Sequence, residues 1–274
     1  MLNDKTWWIT GASSGIGAAL AQALAGAGAR LILSGRNVDA LEGVAKDCGD
    51  DVLILPFEVT DFERIPALVD EAWEWAEQKG GGIDGLVNNA GISQRSLATD
   101  TVFEVYQKLI DIDLLAPIAL TQALLPRMVA AGGGNVVAIS SVAGLVGVPL
   151  RSAYCAAKHG LIGYHDALRA ETSHQGMNVL VVAPGSVRTN VSRNALDATA
   201  TARGKSDAVI DAGMDPAIAA ARILDAISTG RRELVLAEGM EADIVQLRRS
   251  DPNALFDAMA NMIAAGYAEK LDAT

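Results

Sequence analysis

The sequence predicts an α/β fold: one doubly wound parallel sheet of about seven strands with helices on both faces. Three observations lead there. Short runs that are apolar on both faces recur along the chain, as strands buried between two helical layers must be. Longer amphipathic stretches separate them and are long enough for right-handed crossovers. A glycine-rich turn joins the first strand to the first helix.

In chain order, the expected strands are 6–10, 30–34, 52–57, 85–88, 135–140, 178–183 and 233–237. The expected helices are 16–27, 40–47, 63–78, 102–129, 153–172 and 217–228. Asp39 with Glu42, and Thr60 with Glu63, have capping-box spacing. The stretch 190–215 breaks the rhythm and is long for a connection inside a compact domain, which marks it as functional. Residues 241–274 read as a helical extension of one or two helices. No linker or repeat divides the chain, so a single domain over 1–274 is expected.

Composition narrows the function. Of the 274 residues, 50% are hydrophobic and 20% charged, which suits a folded chain rather than a disordered one. A formal charge of −11 argues against a nucleic-acid groove, which needs a basic face. Cys48 and Cys155 make no disulfide framework and suit a reducing compartment. The apolar run 114–131 is interrupted by Pro117, Thr121, Gln122, Pro126 and Arg127, and Met1–Lys5 leads straight into the first strand. No membrane segment and no leader are therefore expected, and a cytoplasmic protein is. His159, His165 and His174 match no metal spacing, so no metal is expected and the three read as surface or helix-packing residues.

The glycine-rich turn is Thr10-Gly11-Ala12-Ser13-Ser14-Gly15-Ile16-Gly17. Glycine there lets the backbone turn tightly and lets a pyrophosphate approach. The helix start then offers free N–H groups and a positive dipole end. Gly11, Ser13, Ser14, Gly15, Ile16 and Gly17 are the candidate phosphate cradle of a Rossmann-like fold. A site for NAD usually has a carboxylate at the end of the second strand. Here that end reads Ser34-Gly35-Arg36-Asn37. A guanidinium at that place forks onto a ribose 2′-phosphate, which favours NADP(H); the plainer alternative is a solvated surface arginine.

Tyr154 and Lys158 lie four apart and so share one helix face. A tyrosine, whose ordinary pKa is about 10, must fall by about 3 pH units to work near neutrality, roughly 4 kcal/mol. A lysine charge at ~4 Å supplies about 1 kcal/mol in water and about 4 at the effective dielectric of a protein site. One well-placed lysine is enough. Ser141 lies thirteen residues before the tyrosine at a strand end. Asn88-Asn89-Ala90-Gly91 and Pro184-Gly185-Ser186-Val187-Arg188-Thr189 close two further strands at the same carboxyl edge, where such sheets bind ligands.

In these residues, from Lys5 to Ala237, the chain resembles the short-chain dehydrogenase/reductase superfamily in its single-domain form. The resemblance implies an NADP(H) oxidoreductase acting on CH–OH/C=O groups, with Tyr154 as general acid–base. Lys158 would lower the pKa of Tyr154 and hold the nicotinamide ribose. It implies that Ser141 binds the substrate oxygen, a donor of the oxyanion-hole kind. Val187 and Thr189 would hold the carboxamide, with Pro184 and Gly185 beside them, and Asn88, Ala90 and Gly91 would line the cofactor groove. The resemblance puts Glu58 and Val59 at the adenine, with Glu58 where the family often has an aspartate. Asp113 stands where the family has a fourth catalytic residue, an asparagine. The expectation is that it lies too far from Lys158 to pair, or acts through its backbone carbonyl. Leu145–Leu150, with Val148, would form an apolar pocket wall and Ser186 would touch substrate, while Arg95, Arg151 and Arg193 fall near the cleft. The substrate expected is an apolar ketone or aldehyde, steroid-like or xenobiotic, or the matching secondary alcohol. The resemblance makes 190–215 a substrate lid and puts the interface of a homodimer or homotetramer on the long helices 102–129 and 153–172. The rival reading is a non-catalytic NADP(H)-binding sensor or scaffold on the same fold.

Overall fold

The computed structural model describes residues 2–269. Seven strands form one parallel sheet: β1 (Thr6–Thr10), β2 (Arg30–Ser34), β3 (Val52–Ile54), β4 (Gly85–Asn88), β5 (Gly134–Ile139), β6 (Met177–Pro184) and β7 (Glu233–Leu236). Their order across the sheet is β3-β2-β1-β4-β5-β6-β7. The winding reverses between β1 and β4, and the crevice that opens there is where such sheets take ligands. The helices are α1 (Gly15–Gly26), α2 (Val38–Cys48), α3 (Ile65–Gln78), α4 (Phe103–Ile110), α5 (Ala116–Ala130), α6 (Ser152–Thr172), α7 (Ala208–Asp211), α8 (Pro216–Ser228), α9 (Met240–Ser250) and α10 (Pro252–Ala264).

The period-2 alternation of the strands sorts the core into two layers. Trp7, Ile9, Leu31 and Leu33 point to one face and pack with α1, α2 and α8 through Leu20, Leu24, Leu41 and Ile223. Trp8, Ile32, Leu86 and Val136 point to the other and pack with α3 and α5 through Leu68, Ala72, Leu120 and Leu124. Trp7 and Trp8 are both fully buried. Trp8 donates its ring N–H to Ser34 Oγ at 2.8 Å, and a Cβ on Gly85 would meet the Trp7 ring at 2.3 Å. Glycine at 85 is the space the indole needs.

Several boundaries differ from expectation. β3 ends at Ile54 rather than at residue 57, although the Leu55 N–H still donates to Leu33 O at 3.0 Å and the Phe57 N–H to Gly35 O at 3.2 Å; Pro56, on this edge strand, falls where no donor to β2 is needed. α2 is capped by Asn37, whose Oδ1 accepts the Ala40 N–H at 3.0 Å, and not by Asp39. Residues 60–64 form turns, so Thr60 caps nothing; α3 starts at Ile65, with Pro66 in its first turn where its missing N–H costs least. The long stretch 102–129 is two helices joined by a π-helical turn at Asp111–Leu115. Phe103–Ala130 is long and apolar enough to cross a bilayer by length and composition, where no such segment was expected. Here it is built into the body of the fold, with Asp113 at its middle and Leu120, Leu124 and Met128 in the core.

The extension holds α9 and α10, which pack Val245 and Leu255 against Val142 and Val146. Leu145 and Val146 therefore face the extension, and no residue of Leu145–Leu150 walls the cavity. Residues 270–274, the end of the expected extension, lie outside the described residues.

Candidate active site

A cavity of about 800 Å³ runs along the carboxyl edge of the sheet. At one end lies the glycine turn. Gly11 and Gly15 have φ of +64° and +59°, in the left-handed region that favours glycine. Ser14 stands at the N-cap of α1 with no side-chain cap bond, and the first turn holds no acidic residue. The first N–H groups of α1 are left to the cavity, a donor set suited to a phosphate. Gly11, Ser13, Ser14, Gly15 and Ile16 line it; Gly17 does not. A Cβ on Gly17 would meet Gly11 O at 2.4 Å and Asn89 Nδ2 at 2.5 Å, so that glycine serves close packing of α1 on the sheet.

Thr10 and Asn89 hold this turn, and sequence reasoning assigned neither a role. Thr10 Oγ1 accepts the N–H groups of Asn89 and Ala90, both at 3.1 Å. Asn89 Nδ2 donates to Thr10 O at 3.0 Å and Gly11 O at 3.1 Å. Asn88, expected in the groove, turns away from it: its side chain is buried and donates to Thr121 Oγ1 at 2.8 Å. Ala90 and Gly91 do line the cavity. The signal for Asn89 was present in the quoted Asn-Asn pair, but strand alternation alone does not say which of the two faces the ligand.

Arg36, Glu58 and Val59 border the cavity beyond the glycine turn. The Arg36 side chain is 72% exposed and lies 3.4 Å from Glu58 Oε2. A contact this exposed is worth little and leaves the guanidinium available.

Ser141, Tyr154 and Lys158 come together at the other end of the cavity. Ser141 follows β5; its Oγ donates to Pro184 O at 3.3 Å and accepts the Ala143 N–H at 3.1 Å. Tyr154 and Lys158 lie one turn apart on α6, with the ammonium 5.6 Å from the phenol ring centre. Lys158 is buried and donates to Ile139 O at 3.1 Å.

Asp113 corrects an expectation. Its Oδ2 lies 3.3 Å from Lys158 Nζ, with neither side chain more than 4% exposed. Its Oδ1 accepts the Ile92 N–H at 2.9 Å. The π-helical turn brings residue 113 inward, and the Ile92 bond fixes its carboxylate against α6. Burial pushes the Asp113 carboxyl up, offset in part by Lys158 and the Ile92 N–H. Burial pulls the Lys158 ammonium down, but Asp113 and Tyr154 outweigh it and raise it overall.

The loop after β6 supplies the remaining wall. Pro184, Gly185, Val187 and Thr189 line the cavity, and a Cβ on Gly15 would meet Thr189 Cγ2 at 2.9 Å. Ser186 and Val148, expected at the substrate, do not line it. The Ser186 hydroxyl is taken by Glu241 at 2.8 Å, and the Val148 N–H donates to Cys155 Sγ at 3.3 Å. Burial pushes the Cys155 thiol up, away from the reactive thiolate. The three arginines placed near the cleft from the sequence lie away from it. Arg95 is buried on Asp207 at 2.6 Å and Arg151 lies 4.0 Å from the same carboxylate, while Arg193 is exposed; none of the three lines the cavity. Among the described residues no cluster of His, Cys, Asp or Glu suits a metal ion.

A glycine turn at one end of a cavity and a tyrosine–lysine–serine group at the other is the layout of an oxidoreductase working with a nicotinamide dinucleotide. The short chain dehydrogenase family model matches residues 5–200, and the chain belongs to that family. It is similar to "Dehydrogenase/reductase SDR family member 7B" of Danio rerio, 38% identical over 266 residues that cover 95% of this chain and 86% of the other. Two solved short-chain dehydrogenases share the fold at 22% identity. One, from Burkholderia phymatum in complex with NAD, has a TM-score of 0.81 and covers 92% of this chain and 95% of its own. The other, from Burkholderia cenocepacia in complex with NADP, has a TM-score of 0.78 and covers 94% and 98%.

Proposed function

We propose that the chain is an NADP(H)-dependent oxidoreductase that interconverts an apolar ketone or aldehyde with its alcohol. The observation that carries this is the convergence of Ser141, Tyr154 and Lys158 on one cavity with the open start of α1. When bound, the dinucleotide supplies or takes a hydride at its nicotinamide ring. The chain does the rest. The α1 N-terminus and the glycine turn hold the pyrophosphate. Arg36 takes the 2′-phosphate, supported by its exposure and by the lack of an acid at the end of β2. Ser141 gives up its 3.3 Å bond to Pro184 O and donates to the substrate oxygen. Tyr154 delivers a proton to that oxygen in reduction and removes it in oxidation, with the Lys158 ammonium 5.6 Å from its ring centre.

Ile92, Leu196 and Ala200 cluster with Tyr154 and line the cavity, as do Ala202 and Ile210, which supports an apolar substrate. The two Burkholderia proteins were solved with different dinucleotides, so the preference for NADP(H) rests on Arg36. The unpaired Cys48 and Cys155 support a reducing, cytoplasmic setting. Exposed Phe103 and Leu115 on the α4–α5 run support a homodimer or homotetramer.

The test measures NADPH consumption with a panel of carbonyls. Tyr154→Phe should lose about 10²–10⁴-fold in kcat while binding NADPH as well as the wild type. Arg36→Ala should lose preference for NADPH over NADH. Activity confined to polar sugars or anionic thioesters overturns the substrate class. The second reading, a non-catalytic sensor, is favoured by Asp113 offsetting the Lys158 charge; wild type and Tyr154→Phe that both bind NADPH and reduce no carbonyl would establish it.

A further inference from the structure

The reacting end of the cavity is held from behind by a carboxylate that lies beyond the residues the family model matches. Glu241 sits in the first turn of α9. Its Oε2 accepts the Ser186 backbone N–H at 2.7 Å and its Oε1 accepts the Ser186 hydroxyl at 2.8 Å. A carboxylate that takes both donors of one residue fixes its backbone and its side chain together. Gly185 permits the approach, since a Cβ there would lie 2.0 Å from Glu241 Oε2. Ser186 is also held from the lid side: its carbonyl accepts the Met214 N–H at 2.9 Å, and Met214 O accepts the Arg188 N–H at 2.9 Å. The loop 184–189 is thus clamped between α9 and the root of the lid. Its other side faces the cavity, where Pro184 O takes the Ser141 hydroxyl and Val187 and Thr189 form wall.

The geometry points to Glu241 as a positioning residue: it sets the loop 184–189 against Ser141, and through that loop the fit of the nicotinamide half of the dinucleotide. The inference rests on the dinucleotide reading above. Glu241 lines no part of the cavity and touches no reacting atom. Its influence therefore falls on the half of the ligand beside the loop and spares the half on the glycine turn and Arg36.

That asymmetry gives the test. Calorimetric titration of the full chain uses NADPH and 2′-phospho-ADP-ribose, the same molecule without its nicotinamide. In Glu241→Ala the Kd for NADPH should rise by about tenfold, the scale of losing hydrogen bonds to a charged group, and kcat should fall at least as much. The Kd for 2′-phospho-ADP-ribose should stay within about twofold. Glu241→Gln, which keeps one acceptor and the length of the side chain, should recover most of the NADPH affinity. Equal weakening of both ligands, or no change in NADPH binding and kcat in either variant, overturns the inference. A wild type that binds neither ligand overturns the dinucleotide reading itself, and this inference with it.

Discussion

Asp113 and Lys158 form a buried ion pair beside the one side chain expected to move a proton. The ammonium serves two masters, since its charge is shared between the carboxylate on one side and Tyr154 on the other. Asp113→Asn removes the competing charge and keeps an oxygen for the Ile92 N–H. Asp113 is also what holds the buried ammonium up against its desolvation, so Asp113→Asn strands that charge and should lower the melting temperature by several degrees. An unchanged melting temperature would mean that the carboxylate serves only the Ile92 bond. The departure at residue 113 was visible in the sequence, but its distance from Lys158 was not. That distance follows from a π-helical turn, which leaves no mark in hydrophobic periodicity. Glu241 escaped for a different reason: it acts through Ser186, fifty-five residues away in the chain, and no local spacing links the two.

At the scale of elements, the side chains that fasten the segment 190–215 centre on one carboxylate. Asp207, just before α7, accepts from Arg95 at 2.6 Å and from Arg203 at 2.7 Å, and all three are almost fully buried. Burial works against the Asp207 carboxylate, but Arg95 and Arg203 hold it below the usual carboxylate range. Burial, followed by repulsion from Arg151, pulls the Arg95 guanidinium down to about 10. Removing one member of such a group strands charge, which typically costs about 3–5 kcal/mol. Asp207→Asn should lower the melting temperature by several degrees and raise KM for the carbonyl substrate, because the lid carries Leu196, Ala200, Ala202 and Ile210 of the cavity wall. An unchanged KM would separate the fastening from substrate binding. The length of 190–215 marked it in the sequence as a functional segment. The fastening was hidden because Arg95 and Asp207 stand 112 residues apart.

For the whole molecule, the sheet and its two helical layers were legible because the strands are buried on both faces and therefore read as unbroken apolar runs. Element ends were less so, for reasons as local as the Asn37 cap of α2. One buried group ties global stability to pH. His165 on α6 has no exposed surface, its Nδ1 meets Leu161 O at 2.8 Å, and its ring stacks edge-on with Tyr164 at 5.0 Å. Burial pulls the imidazole down from 6.5 to about 4. Below pH ~6.5 the unfolded chain takes up a proton that the folded chain refuses, so stability falls with pH down to the folded value, by about 2 kcal/mol at pH 5. Urea midpoints measured from pH 7 to 5 should show that slope, and His165→Gln should flatten it; an identical slope in the variant would assign the acid sensitivity elsewhere.

The neighbours Trp7 and Trp8 serve opposite layers of the core although only a peptide bond separates them. Their emission is therefore a built-in pair of reporters, one for the side clad by α1, α2 and α8 and one for the side clad by α3 and α5. Replacing either by phenylalanine leaves the other reporting from its own side, over the background of the partly exposed Trp73 and Trp75. If the two claddings loosen at different temperatures, the two variants will report melting curves that do not superimpose.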